Sequence, residues 1–131
     1  MTLVIDASVA VGALTVVDDV GAWCEQRIES GPIWAPHLLP VEVTNSLRRR
    51  VAAGQLTRAV AATALSDLSD LPFEFVPFEP FEARVWELCQ SLTAYDAWYV
   101  ALAEAMDCPM ATLDLRLTRA PGPACAFVTP G

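Results

Sequence analysis

Short apolar runs alternate along this chain with helix-length segments, and no other feature constrains its fold as strongly. Leu3 to Ile5 is the first run and reads as a buried strand. Val9 to Ser30 reads as helical, ending near Gly31-Pro32, and Ile33 to Ala35 is a second strand closed by Pro36. From Pro40, the segment VEVTNSLRRRVAAG repeats Val43, Leu47 and Val51 at four-residue spacing, a helical face with Gly54 as its stop. Thr57 caps a further helix that runs to the break at Pro72. Phe73 to Phe78 reads as a strand, which Pro77 ends or confines to a sheet edge. Helices over Phe81 to Ser91 and Thr93 to Met106 follow, with Thr93 and Asp96 supplying a helix-start signal. CPMATLD gives a strand ending at Asp114, and ACAFVTP gives the last one. Strands alternating with helices imply right-handed crossovers and a sheet covered on both faces. The expected fold is α/β, a three-layer α/β/α sandwich with a mainly parallel central sheet. No repeat or linker divides residues 1–131, so a single domain is expected.

Composition excludes several function classes. The longest nearly apolar stretch, Val9 to Val17, is far shorter than the ~20 residues that span a bilayer. The amino end has no basic residue and carries Asp6 where the apolar core of a signal peptide would run. The expectation is a cytoplasmic chain with no membrane partner. Four dispersed cysteines, no CxxC pair and one histidine, His37, exclude a zinc ribbon or finger and favour reduced thiols. The net charge of −8 opposes nonspecific nucleic-acid binding and favours a basic partner. All eight basic residues are arginine, and Arg48, Arg49 and Arg50 form a local cluster.

The acids carry the chemical signal. Ligands of such a sheet bind beyond the carboxyl ends of its strands. Asp6 ends the first strand, and Asp114 ends the fourth. Glu42 and Asp96 stand in the first turns of two helices. Singly, each has a plain structural account: Asp6 as a helix cap, Glu42 and Asp96 as complements to helix dipoles, Asp114 as a turn former. Jointly, four converging carboxylates without basic neighbours repel one another and raise their pKa values, a conflict that a divalent cation resolves. Oxygen-only ligation selects Mg²⁺ or Mn²⁺ over zinc. Ser8 and Thr112, each two residues from an acid, offer hydroxyl contacts or hold bound water. Such a site suits in-line attack on a phosphodiester by metal-activated water.

Four segments, VIDASV, APHLLPVEVTNSLRRR, TAYDAWYVALAE and ATLDLRL, fall in one order and spacing across residues 4–117. Together they resemble the PIN-domain ribonucleases, specifically the VapC-type toxins of bacterial type II toxin–antitoxin pairs. The resemblance implies a Mg²⁺- or Mn²⁺-dependent endoribonuclease whose acidic quartet is Asp6, Glu42, Asp96 and Asp114. It places Ser8 and Thr112 at small hydroxyl positions beside the acids, and Asn45 at a polar position one turn after Glu42. It further implies an RNA substrate, a homodimer, a cognate antitoxin, and a heterotetramer or larger assembly with it. Among the arginines, Arg48, Arg49 and Arg116 are the chief candidates for phosphate contact, with Arg50 and Arg119 beside them. Surface ion pairs are the plain alternative for each.

Two other readings stay open at this level. A PIN-like module could bind RNA or protein without cutting, although the intact quartet argues against that. The same chemistry would also serve a metal-dependent phosphatase or a DNA-directed nuclease.

Overall fold

The computed structural model describes residues 1–131. Its strands are β1 (Leu3–Ile5), β2 (Ile33–Pro36), β3 (Phe73–Val76), β4 (Met110–Ala111) and β5 (Phe127–Val128). Its helices are α1 (Ala7–Thr15), α2 (Asp19–Glu29), α3 (Leu39–Ala52), α4 (Arg58–Asp70), α5 (Glu82–Leu88), α6 (Ala94–Met106) and α7 (Leu115–Arg119), with a 3₁₀ turn at Glu79–Phe81. The strands form one sheet in the order β3-β2-β1-β4-β5, and every pairing is parallel. The chain builds outward from β1 to β2 and β3, then crosses back through α5 and α6 to add β4 and β5. The strand order therefore reverses between β1 and β4, which is where open α/β sheets present their binding crevice.

Side chains alternate between the two faces of the sheet. Val4 joins a core of twenty buried residues on one face, while Leu3 and Ile5 join a group of seven on the other. The larger core takes Val43 and Leu47 from α3, Leu68 from α4, Leu88 from α5, and Tyr99 and Val100 from α6. The smaller one rests mainly on Cys24 and Ile28 of α2. The expected sandwich is present, but it is lopsided.

Capping chemistry sets most helix boundaries. The Thr57 hydroxyl accepts from the Val60 amide at 3.1 Å and starts α4. The Thr93 hydroxyl accepts from the Asp96 amide at 3.2 Å and starts α6. Pro40 lies in the first turn of α3, where a missing N–H costs nothing, and no side chain caps that helix. β3 stops at Val76 on the sheet edge, as Pro77 requires.

Three boundaries differ from the sequence reading. The segment from Val9 to Ser30 is two helices, α1 and α2, meeting at a bend of 115°. β-branched Val16 and Val17 end the first, and the Asp18 carboxylate starts the second by accepting from the Val20 and Gly21 amides. Gly21 is required there, because a Cβ would stand 1.9 Å from the Val16 carbonyl oxygen. The helix expected over Phe81 to Ser91 is only Glu82–Leu88. The fourth strand ends at Ala111, so Asp114 does not terminate it; Asp114 instead caps α7, an element the sequence reading missed. No single helix is long and apolar enough to cross a membrane. All four cysteines are free thiols.

Candidate metal centre

Asp6 sits where β1 becomes α1, beside β4 at the point of strand reversal. Its amide still belongs to the sheet and donates to the Ala111 carbonyl at 3.2 Å. Its carboxylate already belongs to the helix, accepting from the Val9 amide at 3.2 Å. The residue is 9% exposed. Burial of a carboxylate demands donors, and two hydroxyls provide them. Ser8 Oγ donates to Oδ1 and Thr112 Oγ1 donates to Oδ2, each at 2.5 Å.

Both hydroxyls also accept. Ser8 Oγ takes the Leu113 amide at 3.1 Å, and Thr112 Oγ1 takes the Asp114 amide at 3.0 Å. The loop that carries Asp114 is thus tied to Asp6 through two bifunctional side chains. Asp114 caps α7 by accepting from the Arg116 amide at 2.9 Å. Glu42, half-buried in the first turn of α3, accepts from the Tyr99 hydroxyl at 2.7 Å. Asp96 is half-buried in the first turn of α6.

The four carboxylates share one electrostatic neighbourhood. Burial raises the Asp6 carboxyl above its ordinary range despite its three donors, and the Asp96 charge adds to the rise. Burial likewise raises Glu42, opposed by the Tyr99 hydrogen bond and reinforced by Asp96 and Asp6. Asp96 is raised by burial and then by Asp114, with Thr93 and Arg116 pulling the other way. Arg116, read from the sequence as a phosphate contact or a surface ion pair, is thus a basic neighbour of the acids. Its Nε stands 3.6 Å from Asp114 Oδ1, on a side chain 92% exposed, so the pair is weak and solvent-screened.

The donor set is all oxygen and strongly anionic, which matches a hard divalent cation. No three histidine, cysteine, aspartate or glutamate side chains are placed to ligate one ion together. That arrangement fits Mg²⁺-type binding, in which one or two carboxylates act and water fills the remaining positions. A carboxylate offers about four lone-pair sites. Asp6 has three engaged, and Glu42 and Asp114 each have one engaged by a side-chain or backbone donor.

The other sequence candidates divide. Asn45 Oδ1 accepts from Arg48 Nε at 3.0 Å on the exposed side of α3. Arg48 lies over a groove between α3 and α4, floored by Leu47, Val51, Ala61 and Leu65, rather than among the acids. Arg49 is exposed and makes no ion pair. His37 is exposed, with its ring edge-on to Phe75. Tyr99, an aromatic in an apolar helix, belongs by composition in a core or an interface. It is in the core, but its hydroxyl reaches an acid; a polar tip in an otherwise apolar helix face was the available signal.

The fold class is a wholly parallel α/β sandwich that carries four acids around its strand reversal. A model of the PIN domain matches residues 3–123. Ribonuclease VapC9 of Mycobacterium tuberculosis is 39% identical over 116 residues, covering 88% of each chain. Ribonuclease VapC1 of the same organism is 37% identical over 123 residues, covering 93% of this chain and 92% of the relative. PAE2754 from Pyrobaculum aerophilum shares the fold, with a TM-score of 0.71 at 21% identity over 97% of this chain and 83% of that one. VapBC2 from Rickettsia felis, solved bound to a DNA fragment from its promoter, has a TM-score of 0.69 at 13% identity over 98% of both chains. The chain belongs to the PIN-domain family, among the VapC ribonucleases.

Proposed function

We propose that this chain is a metal-dependent endoribonuclease, the toxin of a toxin–antitoxin pair, with Asp6, Glu42, Asp96 and Asp114 as its acidic quartet. The observation that supports this most directly is the buried Asp6 carboxylate. It is held by two hydroxyls and one amide, faced by other acids, and left without a basic partner of its own. Relatives at 39% and 37% identity carry the name ribonuclease.

A bound Mg²⁺ or Mn²⁺ supplies Lewis acidity, lowering the pKa of water and offsetting charge on the scissile phosphate. The protein's part is orientation. Asp6 retains one open lone-pair site, on Oδ2, and Ser8, Val9 and Thr112 lock its plane. Asp96, half-buried with Thr93 as its one hydrogen-bonding side chain, keeps capacity to orient the attacking water or accept its proton. Asp114 is kept near Asp6 by the Thr112 bridge. Arg116, exposed beside Asp114, is placed to meet a substrate phosphate, and Arg48 and Arg49 lie farther along α3 for the flanking backbone.

The partner follows from charge and shape. A net charge of −8 and an uncompensated acidic site suit a basic antitoxin segment, with an arginine reaching the carboxylates. An antitoxin partner is supported by fold neighbours such as a toxin-antitoxin complex from Klebsiella pneumoniae, with a TM-score of 0.65, and the homodimer and larger assembly are parts of the proposal. The deciding experiment is incubation of the purified chain with structured RNA, in Mn²⁺ or in excess chelator. Metal-dependent cuts at defined positions, leaving 5′-phosphate and 3′-hydroxyl ends, are expected. Binding without cleavage in every condition overturns the reading.

A further inference from the structure

We propose that Tyr99 is a positioning residue for Glu42: its hydroxyl engages one oxygen of that carboxylate, fixes its plane, and leaves the other oxygen free for a cation or its water. The inference rests on the acidic site proposed above and adds to it a role for a core residue. Tyr99 is 1% exposed, and its hydroxyl donates to Glu42 Oε1 at 2.7 Å across 57 residues of chain. Glu42 Oε2 has no hydrogen-bond partner within the chain.

Core filling alone does not explain a tyrosine here. Its neighbours along the helix, Ala97, Val100 and Leu102, are apolar and buried, so phenylalanine would supply the same ring without a hydroxyl needing a partner. The partner it finds is an acid of the site. Tyr99 lies three residues after Asp96, on the same helical face. One face of α6 thus contributes Asp96 and sets the orientation of Glu42 as well. α3 packs chiefly on α1 and α4, whereas α6 packs on α5 and the sheet, so this hydrogen bond joins two helices with largely different neighbours.

The test is a cycle of Tyr99→Phe with Glu42→Gln in the full chain, with two readouts. Calorimetric titration with Mn²⁺ without RNA measures cation affinity. Single-turnover cleavage over a range of RNA concentrations separates rate from apparent affinity. Tyr99→Phe is expected to weaken Mn²⁺ binding and slow cleavage about tenfold or more, with RNA affinity within about twofold, as loss of an outer-shell partner typically does. Both effects are expected to vanish when residue 42 is already glutamine. Unchanged Mn²⁺ affinity and rate, or losses of equal size in both backgrounds, overturn the proposal and leave Tyr99 as packing alone. A native chain that cuts no RNA refutes the ribonuclease reading, while the Mn²⁺ cycle still decides the role of Tyr99. A native chain that binds no Mn²⁺ overturns both.

Discussion

Replacing Asp6 by asparagine removes a charge from the most enclosed acid of the site while keeping its shape. Taking a carboxylate out of water costs several kcal/mol even after relaxation. Its three hydrogen bonds, from Ser8, Val9 and Thr112, offset part of that cost. The offset is incomplete, because the Asp6 carboxyl stays raised, with burial as the largest cause. In the variant each bond falls from about 2 kcal/mol, charge-assisted, to about 1 kcal/mol, and Thr112 must turn its hydroxyl to accept from the new amide. The relieved charge outweighs these losses by about 1–2 kcal/mol, or roughly 3–8 °C at this chain length. Asp6→Asn is therefore expected to melt higher than the native chain in chelator, to lose the stabilisation that Mn²⁺ gives the native chain, and to lose RNA cleavage. Differential scanning calorimetry with and without Mn²⁺ provides the measurement. A lower metal-free melting temperature, lost in step with activity, would show that Asp6 is there to cap α1 and hold β4.

Thr112→Val keeps the volume of a fully buried side chain but strands Asp6 Oδ2 and the Asp114 amide; a loss of about 2 kcal/mol in urea unfolding and at least tenfold in cleavage are expected. Glu104→Gln weakens a clasp in which Glu104 takes Arg84 through both oxygens and also accepts from the Ala124 amide, while Arg84 donates to the Gly122 carbonyl. Because the Arg84 side chain is 36% exposed, only about 1 kcal/mol is at stake, visible as faster hydrogen exchange around residues 121–126 with cleavage unchanged. Acidification is expected to stabilise the metal-free protein. Asp6, Glu42 and Asp96 are all raised, so the fold binds more protons than the unfolded chain between the ordinary carboxylate range and their raised values. Stability should therefore rise as pH falls from 7.5 through that window, less steeply in Asp6→Asn. Glu104, lowered by Arg84, reverses the trend only as pH falls through its own lower range, and a melting temperature that declines steadily from pH 7.5 would refute the assignment.

The acids were legible before the fold because each stands at a boundary that local rules expose. Asp6 follows an apolar run, Asp96 follows a Thr93 cap by three residues, and Glu42 follows a proline at a helix start. What was not legible depends on contacts across the chain. The bend between α1 and α2 turns on Gly21 meeting the Val16 carbonyl, and Val9 to Ser30 without that contact reads as one helix. Asp114 looked like a strand end because MATLD has strand-like composition. Only the pairing of Ala111 with Ile5 and Val128 shows where the ladder stops. The tie between Tyr99 and Glu42 was hidden for the same reason, since the two lie 57 residues apart.

The choice of hydroxyls around Asp6 follows from what the site must retain. The chain contains no lysine, and its arginines stand at the rim or elsewhere. An arginine paired with Asp6 would cancel the desolvation cost, but it would also occupy the place of a cation. Ser8 and Thr112 satisfy the carboxylate oxygens without cancelling their charge, and each passes its acceptor capacity to a backbone amide of the β4–α7 loop. Two of the donors to Asp6, Ser8 and Val9, are local, and the third arrives only when Thr112 reaches it, more than a hundred positions along the chain, with the Leu113 amide fixing Ser8. The negative potential survives folding intact, and the resulting strain is carried by a core of twenty residues on one face of the sheet and seven on the other. Such a site is least stable when empty, so whatever positive group enters it, metal ion or arginine, stabilises the fold by doing so.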